Sequence, residues 1–177
     1  GAHVERGARI GLGKGGDIAG AVARRVGIRH VARDLPLPVL ARFSGRAHVV
    51  MGPQDHFFDA QARADFLAAP WRLSNAYDRM GMRLSGPAIR PSARLDMPSE
   101  GIHRGAVQIA GDGVPVVLGA DHQTTGGYPK IATVLDADLD AFVQGRPGQP
   151  LRFVRVSAAE ATAIARTRHA AVARYLA

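Results

Sequence analysis

From residue 37 onward, short apolar runs alternate with glycine- and proline-rich punctuation, a spacing that predicts strands more often than helices. Residues 37–43 and 47–51 read as two β-runs joined by Ser44-Gly45-Arg46, a hairpin-like connection. Gly52-Pro53-Gln54-Asp55 then leads into Phe57, Phe58, Ala62, Phe66 and Leu67 at roughly helical spacing, which predicts one amphipathic helix ended by Pro70. Residues 71–73 and 82–84 read as strands around a polar turn, the second stopped by Gly86-Pro87. Residues 88–100, with Pro91 and Pro98 and no clear period, read as loop. Residues 106–110 and 114–119 flank Gly111-Asp112-Gly113, a link that tolerates positive φ, and make the clearest hairpin of the chain. Further on, 131–135 is another apolar run, 137–143 a short helix, 151–156 an alternating half-buried strand, and 158–177 a long alanine-rich helix.

Six to eight short strands with two or three helices predict a mainly β fold, closed or strongly curved, and not a chain of βαβ units. No internal repeat or low-complexity linker interrupts residues 1–177, which read as a single domain. A chain of 177 residues is long enough to bury roughly 70% of its unfolded surface without staples. With 46% hydrophobic and 21% charged residues the composition is that of a globular protein, not a disordered one. No stretch approaches the roughly 20 continuous apolar residues of a membrane span. Cysteine is absent, so disulfides, thiolate metal sites and cysteine nucleophiles are excluded, and the first residues have no apolar secretory core; the expected address is cytoplasmic.

A formal charge of +8 fits a nucleic-acid binder at first sight. Its distribution argues otherwise. Only Lys14 and Lys130 are lysines, the excess is +7 up to residue 90 and +1 after it, and the cations are scattered apart from the pair Arg24-Arg25. No aromatic stacking pattern accompanies them, so the charge reads as arginine bias with a role at an interface, and nucleic acid is not the expected partner.

Gly11, Gly13 and Gly16 satisfy G-x-G-x-x-G, with Asp34 further on, but no alternation of strand and helix follows, so a flexible glycine loop is preferred to a dinucleotide site. The seven histidines form no H-x-H or H-E-x-x-H pattern and no metal is expected; the serines lack a G-x-S-x-G elbow. The densest polar segment is the link 119–130, which offers Asp121, His122, Gln123, Thr124, Thr125, Tyr128 and Lys130 between two buried strands. Gly126-Gly127 would allow positive φ there and bring N–H groups onto an anion or oxyanion. The competing reading is a turn in which Thr124 and Thr125 cap their own backbone. A second polar knot, 74–84, holds Asp78, Arg79 and Arg83, the arginines being bidentate donors suited to carboxylate or phosphate; a surface salt bridge is the plainer alternative.

Asp78-Arg79-Met80-Gly81-Met82-Arg83-Leu84-Ser85-Gly86-Pro87, Gln108, Gly113 with Pro115, the string Asp121-His122-Gln123-Thr124-Thr125-Gly126-Gly127-Tyr128-Pro129, and Arg146-Pro147-Gly148 with Phe153 resemble the biotin-dependent carboxyltransferase family, also named allophanate hydrolase subunit 2. Gly52-Pro53-Gln54-Asp55 and Trp71 are similar to its pattern too, and the order holds from about residue 37 to 156. That family includes the C subunit of 5-oxoprolinase, the KipI antagonist KipA and the carboxyltransferase region of urea amidolyase. Tyr77 and Met82 depart from it, standing where a serine and a tyrosine are more usual.

The resemblance implies a cyclophilin-like β-barrel and a longer family chain, residues 1–27 corresponding to the end of an N-terminal part that packs with this half. It implies a subunit or part of an ATP- or biotin-linked enzyme acting on a small amide, of 5-oxoprolinase or urea carboxylase/allophanate hydrolase type. Nothing would be bound covalently to this chain; carboxybiotin on a partner protein, or ATP in the complex, would serve as cofactor. The implied catalytic groups are Asp78, Asp121, Gln123, Thr124, Thr125 and Tyr128; Arg79, Arg83, Gln108, Gly126 and Gly127 would bind substrate. A KipI-like (allophanate hydrolase subunit 1) protein is the implied partner. An alternative of another class is a KipA-like regulatory or assembly subunit that binds such a partner without catalysis.

Overall fold

The computed structural model describes residues 42–92 and 97–176. Nine strands appear among them: β1 (Arg46–Met51), β2 (Trp71–Tyr77), β3 (Gly81–Ser85), β4 (Glu100–Gly101), β5 (Ala106–Ile109), β6 (Pro115–Leu118), β7 (Thr125–Gly126), β8 (Lys130–Val134) and β9 (Pro150–Arg155). Three α-helices accompany them, α1 (Ala60–Ala68), α2 (Asp136–Phe142) and α3 (Ala158–Leu176). Seven strands close into a barrel in the order β1-β8-β5-β6-β3-β2-β9, and β4 and β7 form a separate two-stranded ribbon. All pairings are antiparallel except β1 with β9. This is the mainly β, closed-barrel architecture predicted above.

Alternation along the strands sorts the residues into two faces. Val107 lies opposite both Val117 and Ala132, and Met82 opposite Val117, and all four are buried in one core. Their neighbours Arg83, Val116 and Gln108 are aligned on the outer face. Between Val107 and Gln108 the register against β8 shifts, because Val107 faces Ala132 whereas Gln108 faces Lys130. Such a bulge lets Ile131 and Ala132 both enter the core while Lys130 stays on the outer face beside Gln108. Gly52 runs against this irregularity: a Cβ there would lie 2.3 Å from the Lys130 carbonyl oxygen, so no larger residue fits.

Helix α1 buries Phe66, which stacks on Phe153 of β9 with centroids 4.6 Å apart, and the Phe66 carbonyl accepts from the Trp71 indole at 2.8 Å. Helix α2 adds Leu139 and Phe142 to the same core, with Phe43 edge-on to Phe142.

Several expectations need correction. Strand β1 is flanked by β8 and β9, so neither edge is open to a hairpin with 37–43; Arg42 and Phe43 are not in a strand, and 37–41 lie outside the described residues. The single helix predicted through Phe57 to Leu67 is two pieces, a 3-10 turn (Asp55–Phe57) and α1. Phe58, fully buried and extended, separates them, and Asp59 caps α1 by accepting from the Ala62 amide at 2.7 Å. Glu100, assigned to loop, opens β4. The 1–27 segment and the glycine motif with Asp34 lie outside the described residues.

Candidate functional site

The outer wall made by β3, β6 and β5 is where the polar residues converge. The link from β6 to β8 folds back over it and is tied to the β2–β3 turn. The Gly119 amide donates to Met80 O at 2.8 Å and the Asp121 amide to Arg79 O at 2.9 Å. A Cβ at Gly119 would fall 2.4 Å from the Arg79 carbonyl oxygen, which makes the glycine a requirement of this approach. Arg79 and Asp121 add a bidentate ion pair, Nε to Oδ2 at 2.5 Å and Nη2 to Oδ1 at 3.1 Å. Beyond this tether the link pairs as β7 with β4, the Ile102 amide donates to Thr124 O at 3.0 Å, and Pro129 O accepts from the Ile109 amide at 3.0 Å.

A cleft of 320 Å³ lies between wall and link, lined by Asp78, Arg83, Gln108, Gln123 and Tyr128 among polar residues and by Met80, Val116 and Leu118 among apolar ones. Gln108 is 4% exposed, and its Nε2 is buried without a hydrogen-bond partner among the described residues. It is the only such buried side-chain atom among them. Gly126 lies against it: a Cβ on Gly126 would come within 3.3 Å of Gln108 Nε2, 3.7 Å of Gln123 Nε2 and 2.7 Å of Ile102 Cδ1. Both carboxamides therefore end at the inner side of the link. A larger cleft of 470 Å³ beside α2 and α3 is lined by four alanines with Phe43 and Ile164 and by the charged side chains of Arg42, Arg46, Arg168 and Asp138, and none of its polar side-chain atoms is buried without a partner among the described residues.

The structure brings Asp78, Arg83, Gln108, Gln123 and Tyr128 together and leaves Arg79, Asp121, Thr124, Thr125, Gly126 and Gly127 outside the cleft lining. Asp78 Oδ1 accepts from the amides of Met80 at 2.8 Å and Gly81 at 3.1 Å, so this carboxylate shapes the β2–β3 turn as well as facing the cleft. Arg83 pairs with Asp112. The Asp112 carboxyl is held below its usual range first by the Val114 amide and then by Arg83. Asp121 is held low by the hydrogen bond from Arg79, which is itself raised by the same contact. The positive-φ nest predicted at Gly126-Gly127 does not form. Positive φ among the described residues is confined to Gly45, Gly105, Gly113 and Gly148. Gly126 is extended in β7, and its lack of a side chain serves the close approach to Ile102 and Gln108 instead. Of the departures noted in sequence, Met82 is buried in the barrel and Tyr77 is exposed at the end of β2.

A second polar cluster escaped the sequence reading. Lys130, 2% exposed, donates from Nζ to Glu100 Oε1, Gln54 Nε2 donates to the same oxygen, and Gln54 Oε1 accepts from the Lys130 amide at 3.2 Å. Glu100 sits 30 residues before Lys130, Gln54 a further 46 before Glu100, and no local pattern links them. The one available signal was a lysine at the head of an otherwise apolar strand. Among the described residues no group of three or more histidines and carboxylates could hold a metal ion. None of the described helices is long and apolar enough to cross a membrane.

A barrel with a polar link folded over its outer wall defines the class of this chain, which belongs to the carboxyltransferase domain family, subdomain A and B; the family model matches residues 1–155. Among particular relatives, the C subunit of 5-oxoprolinase from Escherichia coli is 40% identical over 119 residues, covering 67% of this chain and 38% of that protein. The C subunit of the Haemophilus influenzae 5-oxoprolinase is 47% identical over 96 residues, covering 54% of this chain and 31% of its own length. The chain thus spans about a third of the length of these curated relatives. The Kluyveromyces lactis urea carboxylase structure shares the fold, with a TM-score of 0.67 at 24% identity over 73% of this chain and 12% of that one.

Proposed function

We propose that this chain supplies the amide-binding wall of a multi-subunit enzyme that processes a small amide by ATP-dependent ring opening or biotin-dependent carboxyl transfer. Gln108 carries this reading. A buried N–H left without an acceptor costs about 1–3 kcal/mol, which a ligand oxygen accepting there would recover. Gln123 brings a second neutral donor to the same place, and two such donors suit a carbonyl or ureido oxygen on which negative charge develops. Asp78, with Oδ1 committed to the turn, keeps Oδ2 for an amide N–H of the ligand, and the Tyr128 ring walls the site.

The donor set fits a ureido group better than a triphosphate, because the unpaired donor is a neutral amide while Arg79 and Arg83 are already matched to carboxylates. Carboxybiotin, when presented by a partner, supplies an activated carboxyl group. The part of this chain would be to hold the accepting oxygen at Gln108 and Gln123 and to keep the nitrogen nucleophile oriented. The relatives' names, as subunits, favour assembly with a second protein, and a KipI-like chain is the partner proposed.

Calorimetric titration with 5-oxoproline and with urea tests the site. One of the two is expected to bind the wild type, with Gln108→Leu and Gln123→Ala each weakening it several-fold, consistent with about 0.5–1.5 kcal/mol per hydrogen bond. Equal affinity in both variants would reject the assignment.

A further inference from the structure

The cluster of Lys130, Glu100 and Gln54 has a mechanical consequence for the cleft. Glu100 belongs to β4, and β4 pairs with β7 through Glu100 opposite Gly126 and Gly101 opposite Thr125. Lys130 belongs to the barrel wall, directly across from Gln108. The ion pair therefore joins the ribbon, which lies outside the barrel sheet, to the strand that neighbours the unpartnered carboxamide. The ribbon's Gly126 in turn packs on Gln108 and Gln123, and the segment beside it carries Tyr128 over the cleft.

Burying an ammonium is expensive, and an apolar side chain would serve the packing of a barrel wall as well or better. Here the buried ammonium is matched by one half-exposed carboxylate whose second donor, Gln54, is anchored to the Lys130 backbone. Each of the three groups thus fixes another, and the carboxylate at their centre is the one that belongs to the ribbon.

We propose that Lys130 and Glu100 are positioning residues, a latch that fastens the β4–β7 ribbon to the barrel wall and so sets Gln123 and Tyr128 over Gln108. This rests on the reading of that cleft as the amide site for its functional meaning, but not for its mechanics.

Hydrogen exchange and ligand titration on the full chain test the two separately. The Ile102 amide, bonded to Thr124 O, reports the ribbon, and the Val134 amide, bonded to Gly105 O, reports the barrel. In the double variant Lys130→Met/Glu100→Ala, which leaves no unmatched charge, Ile102 is expected to exchange at least tenfold faster with Val134 unchanged. Affinity for 2-pyrrolidinone is expected to fall, and Lys130→Arg alone, which keeps the Glu100 carboxylate as its partner, is expected to leave both at their wild-type values. Glu100→Gln, at a half-exposed position, gives the same exchange readout should the double variant not fold. Unchanged exchange at Ile102, or equal acceleration at Ile102 and Val134, would overturn the latch. Failure of the wild type to bind either the lactam or urea, with Ile102 responding as stated, would instead overturn the amide reading and leave the latch standing.

Discussion

Gln108 is costly to the free protein and useful only to a liganded one. Its amide nitrogen is buried and has no partner among the described residues, so replacing it with an apolar side chain of similar size removes a penalty of about 1–3 kcal/mol. Gln108→Leu is therefore expected to raise the stability measured by urea denaturation while weakening the ligand. A loss of stability would show that the carboxamide has a structural partner and would remove the main support for the site. Sequence reading reached Gln108 only through the family resemblance. Nothing in Ala106-Val107-Gln108-Ile109 says that the polar residue faces a cleft, because β5 is buried on both faces and the alternation that marks a half-buried strand is lost. Arg79 and Asp121 show the reverse: both are conspicuous in sequence, yet each spends its hydrogen bonds on the other.

At the scale of elements, the two-stranded ribbon is the part most open to perturbation. Glu100 is held below the usual carboxylate range chiefly by the hydrogen bond from Lys130, with burial opposing. A lowered carboxyl contributes stability that is complete above its unfolded value, about pH 4.3, and is lost as the pH falls through its lower folded value. Asp121 has the same sign through Arg79. Amides of the ribbon and link are accordingly expected to lose exchange protection in acid before those of the barrel; simultaneous loss would contradict the independent anchoring of the ribbon. The ribbon itself was illegible in sequence, since two-residue strands have no period to detect. The bulge at Ile131 was hidden for a related reason: a one-residue register shift changes the face of a side chain without changing the apolar run that contains it.

For the described part of the molecule, closure of the barrel explains why the fold class and the local pairs β2–β3 and β5–β6 were legible while the partners of β1 were not. The barrel strands announce themselves as short apolar runs between turn residues, but β1 takes its neighbours from β8 and β9, a choice made by closure and core filling. Phe66 shows the energetic side, stacked on Phe153 and bonded through its carbonyl to Trp71. Phe66→Ala is expected to cost about 3–5 kcal/mol, measured as a fall in the urea midpoint at unchanged slope. The net charge takes on a local meaning at this scale, because Arg79, Arg83 and Arg104 are all matched to aspartates on the surface.

In the proposed site the oxygen of an amide ligand accepts from the Gln108 N–H that has no partner among the described residues. Side-chain amide resonances of Gln108 and Gln123, followed by nitrogen-edited NMR during titration with 2-pyrrolidinone and, separately, with pyrrolidine, address it most directly. The lactam carries the carbonyl oxygen and the amine lacks it. A saturable shift of the Gln108 resonances is expected with 2-pyrrolidinone and none with pyrrolidine. Unmoved Gln108 resonances at lactam concentrations that shift other signals, or equal responses to both ligands, would contradict it.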